Sequence, residues 1–392
     1  MTPGALLVTV LGTDPKPARY TLQGNSVEAM LAPLALVQLL PEDSRPSRIL
    51  ALCTPEAKER SWPILERGLA GSGIDAAVET LEGDPADVPA FLRIVTAAIP
   101  VGSAPRALMI DATHGFRHYA VLSYLMIQYL SALRGVELRH AFYGLWRPVD
   151  QGTSPFLDLR ALLVLPDWIY ALRVFGDAGD ASGLARLIDD GGDQVARALA
   201  KELGEISEAR EAGLPLELGQ ASARFRAERR KPFRKAIAAR GALLDEELWR
   251  CLDEELARFA FSGQFSAQGW KKQVELNSSE LTRQAALVDD LLGRGSIAVA
   301  LGLMNEWTVS RALLQMGRQQ SWLDYHSARR AAATALGSLA TLAQDQDLGT
   351  SLTDAQRSLG RFWRDLSDLR NAFHHHRARA WVHPQGQRAR AG

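Results

Sequence analysis

Cysteine is nearly absent from this chain: Cys53 and Cys251 are the only two among 392 residues. Two thiols cannot build a disulfide framework or a cysteine-based metal site, and their scarcity suits a reducing cytoplasm. Long apolar runs are missing too. The most apolar helical run, Tyr119–Leu133, has about fifteen residues and contains Ser123 and Gln128, against the roughly 20 that a membrane span takes. It reads as a core helix, and no membrane partner is expected. Met1-Thr2-Pro3-Gly4 runs into a strand-like stretch without a charged-then-apolar signal, so a cytoplasmic location is expected. Charge of one sign is not in excess, with 45 Lys and Arg against 45 Asp and Glu. Contact with nucleic acid or nucleotide must therefore come from local patches. Neither a three-glycine dinucleotide fingerprint nor a P-loop occurs. No internal repeat appears, and no Asp, Glu, His or Cys cluster has ligand spacing, so neither a metal nor a cofactor is expected.

What is present first is alternation. Leu6–Leu11, Arg48–Cys53, Ala76–Leu81, Ala107–Asp111 and Val136–Tyr143 are short apolar runs with the look of buried parallel strands. Helical periodicity separates them at Ser26–Leu40, Lys58–Leu69, Val88–Ile99 and Tyr119–Leu133. Pro155–Leu159 reads as a last edge strand. The pattern predicts an α/β, Rossmann-like domain over residues 1–176 with a mainly parallel sheet and right-handed crossovers. Ligands of such sheets sit beyond the C-terminal strand ends, beside helix N-termini that attract phosphate. Two loops lie there, Leu11-Gly12-Thr13-Asp14 and Asp111-Ala112-Thr113-His114-Gly115-Phe116-Arg117-His118. Gly12 and Gly115 allow backbone N–H groups to approach a phosphate, and Thr113, Arg117 and His118 add donors. Each of these residues also reads as part of a tight turn before a capped helix.

Residues 177–265 form a helical connector. Between Arg224 and Arg240 eight Lys or Arg stand against one Glu, with Phe225 and Phe233 among them. That stretch fits an RNA path or, more simply, a solvated basic helix. Over residues 266–392 the runs Ser278–Leu292, Ile297–Met316, Leu323–Ala343 and Ser351–Arg377 predict an all-α bundle. In the last helix Phe362, Trp363, Leu366, Leu369 and Phe373 gather on one face at about 100° per residue. Arg370 falls inside that arc. It must pair there or face a second copy of the same surface, because an unpaired buried guanidinium is costly.

Arg370-Asn371-Ala372-Phe373-His374-His375-His376 carries the chemistry. Guanidinium is a fixed charge with a planar fork of donors suited to phosphate, and imidazole can take and give a proton near neutral pH. Together they fit metal-free RNA cleavage, with imidazole acting on the 2′-hydroxyl or leaving oxygen and guanidinium stabilising the phosphorane. Asn371 can hold the histidine or a phosphate oxygen. On an unbroken helix His374 lies about 40° from Arg370 and His375 about 140°, so same-chain proximity favours His374. The same histidines also read as a solvated cluster at a helix C-terminus. Glu306 and Arg311 either support the pair or are surface charges.

The spacing of Arg370, Asn371 and His375 resembles the signature of HEPN ribonucleases, arginine followed four to six residues later by histidine. At the other end, Leu11-Gly12-Thr13, Thr54-Pro55-Glu56-Ala57, Asp111 to His118 and Ala141-Phe142-Tyr143-Gly144 look like the sensor half of CRISPR-associated Rossmann-fold (CARF) proteins. The order of the two is similar to that of type III ancillary ribonucleases. The resemblance implies a homodimer, with higher assembly open. Its sensors would bind cyclic oligoadenylate, with cyclic tetra-adenylate the favoured ring, through Gly12, Thr13, Asp14, Thr54, Thr113, His114, Gly115, Arg117 and His118. Its effectors would cut single-stranded RNA at a composite site using Arg370, Asn371 and His375. Asp14 departs from the family, where a small residue is commoner. Thr13 and His114 are candidates for slow cleavage of the activator itself. A different class stays open: a nucleotide-sensing regulator whose helical half binds RNA or a protein without catalysis.

Overall fold

The structure, a computed structural model, describes residues 5–82, 88–99, 107–189, 193–239, 243–263, 268–345 and 347–374. His375 lies outside them, and of His374 only the backbone is described. The chain divides into two compact units, Met1–Pro166 and Asp167–Gly392. No helix among the described residues is long and apolar enough to cross a membrane.

The first unit is a mixed, mainly parallel sheet with helices on both faces. Its strands are β1 (Leu6–Val10), β2 (Ala18–Leu22), β3 (Asn25–Ala29), β4 (Arg48–Cys53), β5 (Asp75–Thr80), β6 (Ala107–Asp111), β7 (Glu137–Gly144) and β8 (Thr153–Asp158). Their order is β3-β2-β8-β7-β6-β1-β4-β5. The run from β5 to β7 is parallel, β8 is antiparallel to β7 and parallel to β2, and β2 and β3 form a hairpin. Around the sheet lie α1 (Ala32–Leu39), α2 (Pro55–Arg60), α3 (Trp62–Leu69), α4 (Val88–Ala98) and α5 (Arg117–Arg134).

Every residue of β1 and β6 is buried, which is why these strands are mostly apolar rather than alternating, with only Thr9 and Asp111 polar. Successive side chains take opposite faces. Leu7, Ala51 and Met109 pack with Leu36 of α1 and Leu65 of α3, whereas Leu6, Val8 and Val10 pack with Val95 of α4 and Met126 of α5. Each such buried side chain contributes roughly 1.5–3 kcal/mol. Thr54 caps α2 by accepting from the Ala57 N–H. Gly135, at φ 63°, ends α5 in the left-handed conformation.

Two sequence expectations are corrected here. Ser26–Leu40 is not one helix but β3 followed by α1. Pro33 would break or kink a helix running through it but fits the first turn of α1, and Gln23 and Gly24, at φ 50° and 86°, turn the hairpin. Pro155–Leu159 is not an edge, because the hairpin adds beyond β8 and buries it inside the sheet.

In the second unit the described residues are helical or irregular. The 19-residue α6 (Arg160–Ala178) carries the border between units, which falls at Pro166 inside it; the border at 176/177 read from the sequence lies in the same helix. Next come α7 (Ser182–Ile188), α8 (Gln194–Glu211), α9 (Pro215–Glu228), α10 (Arg230–Ala239) and α11 (Asp245–Ala257). After these stand α12 (Ser278–Gly293), α13 (Ile297–Gln315), α14 (Arg330–Leu342) and α15 (Asp354–His374). Val309, Leu313, Ala332, Leu336 and Trp363 form the core shared by α13, α14 and α15. A Cβ on Gly360 would lie 2.6 Å from the Leu339 carbonyl, so only glycine lets α15 approach α14 this closely.

Five arginines of the basic run of α9 and α10 are paired with carboxylates. Arg224 pairs with Glu205, Arg226 with Asp253, Arg229 with Glu202, Arg230 with Glu246, and Arg234 with Asp245 and Glu246. Phe225 and Phe233 are buried against Trp249. Those rings are not available to stack on bases, and the RNA-path reading of this stretch is given up.

Candidate functional sites

In the first unit the loops after β1, β4 and β6 meet at the C-terminal edge of the parallel strands. A methyl on Gly12 would sit 3.7 Å from the Gly115 nitrogen and from Cβ of His114, so the first and third loops touch. The Ser61 hydroxyl donates to the Gly12 carbonyl at 2.5 Å, tying in the α2–α3 junction. Asp111, buried at the end of β6, accepts from the Thr9 hydroxyl at 2.8 Å and from the Thr113 N–H at 3.0 Å. Thr113 in turn accepts from the Gly144 N–H at 2.8 Å. Gly115 has φ 88°, and a Cβ there would lie 2.5 Å from Cγ1 of Val10. Sequence reading gave Gly115 the approach of phosphate; the geometry adds a packing reason for glycine.

His114 is turned toward α1. Its Nε2 accepts from the Ala32 N–H at 3.3 Å and lies 3.3 Å from the Tyr20 hydroxyl. Burial lowers its pKa, against the opposing charge of Asp111. The ring is therefore neutral near pH 7, and only Nδ1 is left for a ligand. Arg117 and His118 are exposed at the start of α5, with His118 against Phe116 and Tyr119. Phe116, at the N-cap, makes no side-chain cap, and its carbonyl accepts from the Tyr119 N–H at 2.9 Å. Thr13 and Thr54 are half-buried and Asp14 is exposed, paired with Lys16 at 2.6 Å. Thr9, Asp111 and Tyr20 hold this edge together and were not singled out from sequence; a Thr and an Asp inside apolar strand runs were the available signal.

In the second unit Arg370 is half-buried on α15, and its Nη1 donates to Oδ1 of Asn305 on α13 at 3.0 Å. Asn305 is buried, the first polar residue after the apolar run Ile297–Met304 of α13. Among the described residues no carboxylate lies within ion-pair distance of Arg370. Two concavities share it as a wall, one of about 940 Å³ and one of about 420 Å³. Glu306, Tyr325 and Arg329 line both as well, and Asn371 lines the larger. Glu306 is held by Arg329 at 2.6 Å, and Arg311 is exposed. Trp363 and Leu366 of the predicted arc are buried, while Phe362 and Phe373 stand exposed three turns apart on the same face. Among the described residues no three His, Cys, Asp or Glu side chains gather as a metal ion would require.

No protein-family model matches the chain. Over 95 residues, 24% of its length, it is 24% identical to CRISPR-associated protein MJ1674 of Methanocaldococcus jannaschii. Over that stretch the chain is similar to a CRISPR-associated protein. The match covers only 15% of that relative's own length. A solved structure, Enterococcus italicus Csm6 bound to cyclic hexa-2′-fluoro-hexa-dAMP, aligns with 95% of this chain and 87% of its own at a TM-score of 0.45 and 10% identity. That likeness is too distant to place any residue.

Proposed function

We propose that the chain is a CRISPR-associated, ligand-activated endoribonuclease. Cyclic oligoadenylate binds the loops at the C-terminal edge of the sheet in a homodimer. The paired helical halves, each a HEPN-like bundle, then bring Arg370 and His375 of both copies together on single-stranded RNA. Because the activator acts at a distance, it must bind the active arrangement more tightly than the inactive one.

The observation that carries this reading is the setting of Arg370. A guanidinium held in place by an amide keeps its positive charge, and a phosphodiester is the group that needs it. Two apolar stripes support pairing of copies: Phe362 and Phe373 beside Arg370, and Val121, Leu125, Tyr129 and Leu133 on α5, all exposed. The start of α5, with Arg117 and His118 exposed on it, supports phosphate binding by the sensor. Arginine and histidine chemistry needs no metal, since charge stabilisation and proton transfer both come from side chains.

The test is to incubate the full chain with labelled single-stranded RNA, with and without cyclic tetra-adenylate, in EDTA. Activator-dependent cutting is expected, lost in Arg370→Ala and in His375→Ala while activator binding persists. Activator binding without cutting would overturn the enzyme reading in favour of a regulator. Cutting retained by the double variant would remove these residues from the site.

A further inference from the structure

The smaller concavity beside Arg370 has a lining that the cleavage reaction does not by itself require. Around its roughly 420 Å³ stand three guanidiniums, Arg329, Arg330 and Arg370, against one carboxylate, Glu306. Since Glu306 is taken up by Arg329, the wall keeps a positive excess. Tyr325 and His326 complete it on the side of α14. Tyr325 is 70% exposed, with its ring edge-on to His326 at 5.7 Å between centroids.

The mount beneath Tyr325 is rigid. Tyr325–Arg329 is a π-helical turn, a rare backbone form that recurs at functional sites. Asp324 caps it, accepting from the Ser327 N–H at 3.1 Å and the Ser327 hydroxyl at 2.6 Å. Arg329 clamps its far end, donating to the Trp322 carbonyl at 2.9 Å and the Ser310 hydroxyl at 3.2 Å. An aromatic face held out on a fixed turn beside unpaired cations is the pattern by which single-stranded nucleic acid is bound. The volume lies within the range that small ligands fill, about 300–1,000 Å³.

Resting on the ribonuclease reading, we infer that this concavity is a substrate subsite for the nucleotide next to the scissile phosphate. Its base stacks on Tyr325, its outer phosphate lies at Arg330, and the scissile phosphate lies at Arg370. Tyr325 is then a binding residue that adds a modest preference, through stacking strength, among the bases beside the cut.

The experiment uses the full chain and a single-stranded RNA carrying 2′-O-methyl groups, which cannot be cut, in a fluorescence anisotropy titration with cyclic tetra-adenylate present. Stacking on one aromatic ring predicts roughly 5- to 150-fold weaker binding for Tyr325→Ala, with Tyr325→Phe close to wild type because the ring remains. In cleavage assays Tyr325→Ala should raise KM by a similar factor with a smaller fall in kcat, and flatten the nucleotide preference beside the cut. Arg330→Ala should lower the slope of log affinity against log salt by about 0.7, one phosphate contact on a single strand. Unchanged binding and preference in Tyr325→Ala, with Arg370→Ala inactive, would overturn the subsite and leave the enzyme standing. Tyr325-dependent binding by a wild-type chain that never cuts would overturn the enzyme, and with it the placing of this concavity beside a cut, and leave a nucleotide-binding site. Equal losses in the Ala and Phe variants would also overturn the stacking role.

Discussion

Gly115→Ala gives a measure of how tightly the sensor loop is locked. At φ 88° the backbone lies where an L side chain is disfavoured, at a cost of about 1–2 kcal/mol. The new methyl would also lie 2.5 Å from Cγ1 and 3.3 Å from Cβ of Val10, with Cδ2 of Tyr119 at 3.6 Å. Val10 is buried in β1 and Tyr119 in α5, so neither can swing away into solvent, and overpacking of this kind costs about 1–3 kcal/mol. The sum, about 2–5 kcal/mol, is a large part of the roughly 5–15 kcal/mol by which a domain is stable. For a unit of this size it corresponds to a fall in Tm of roughly 5–15 °C. Thermal and urea unfolding would measure it. Adding Val10→Ala should recover about 1–2 kcal/mol of the double loss, because it removes the clash and leaves the φ strain. A Gly115→Ala chain within about 0.5 kcal/mol of wild type, or strict additivity with Val10→Ala, would refute the packing argument. Activator affinity should fall as well, since the displaced N–H groups are those proposed to face phosphate.

Other perturbations have equally definite directions. Asp290→Ala should destabilise the helical unit by about 3–5 kcal/mol in urea unfolding, because Arg210, 1% exposed, would lose its hydrogen-bonded carboxylate and keep only Glu255 at 3.8 Å. Burial holds the His114 pKa below its ordinary 6.5, so the unfolded chain takes up that proton first. Its contribution to stability should be full above about pH 6.5 and be lost as pH falls toward the lowered folded value; His114→Gln should show a flatter Tm profile below about pH 6.5. Asn305→Asp should leave the fold intact yet weaken RNA binding and cutting by roughly tenfold or more, by giving Arg370 an anion of its own; unchanged cutting would argue against a phosphate role for Arg370.

The parts of the fold that could be read from sequence are those whose residues answer only to their immediate surroundings. Both faces of β1, β4 and β6 are covered, so Leu6–Val10, Ile49–Cys53 and Ala107–Asp111 are apolar except for Thr9 and Asp111, which bond to each other. β3 has an exposed edge with the pattern of a polar strand, and its signal was overrun by the apolar stretch Leu31–Leu40 that follows. The Gln23–Gly24 turn was a local cue that helical periodicity masked. β8 was recognisable as a strand but not as an interior one, because its second neighbour is β2, more than a hundred residues earlier. The basic run of Arg224–Arg240 misled for the same reason. Its partners Glu202, Glu205, Asp245, Glu246 and Asp253 sit on flanking helices, and charge pairing across helices leaves no mark in a local count.

The same limit applies to the candidate site, where sequence could raise the question of Arg370 but not answer it. An arginine in an apolar arc needs a partner, and two arginines of this unit show the alternatives. Arg210 spends its donors on Asp290 and on the carbonyls of Phe175 and Gly176, at 2.7 and 3.0 Å for the carbonyls, with the Phe175 and Phe259 rings packed on the guanidinium. Its charge is cancelled and its geometry saturated, so it can only hold helices together. Arg370 has one amide oxygen, from Asn305, which fixes direction without cancelling charge and leaves further donors on a concave wall. Stability alone would favour a carboxylate at that position, since charge-assisted hydrogen bonds are the stronger ones. An amide in its place is what a site needs if the missing anion is to arrive with the substrate.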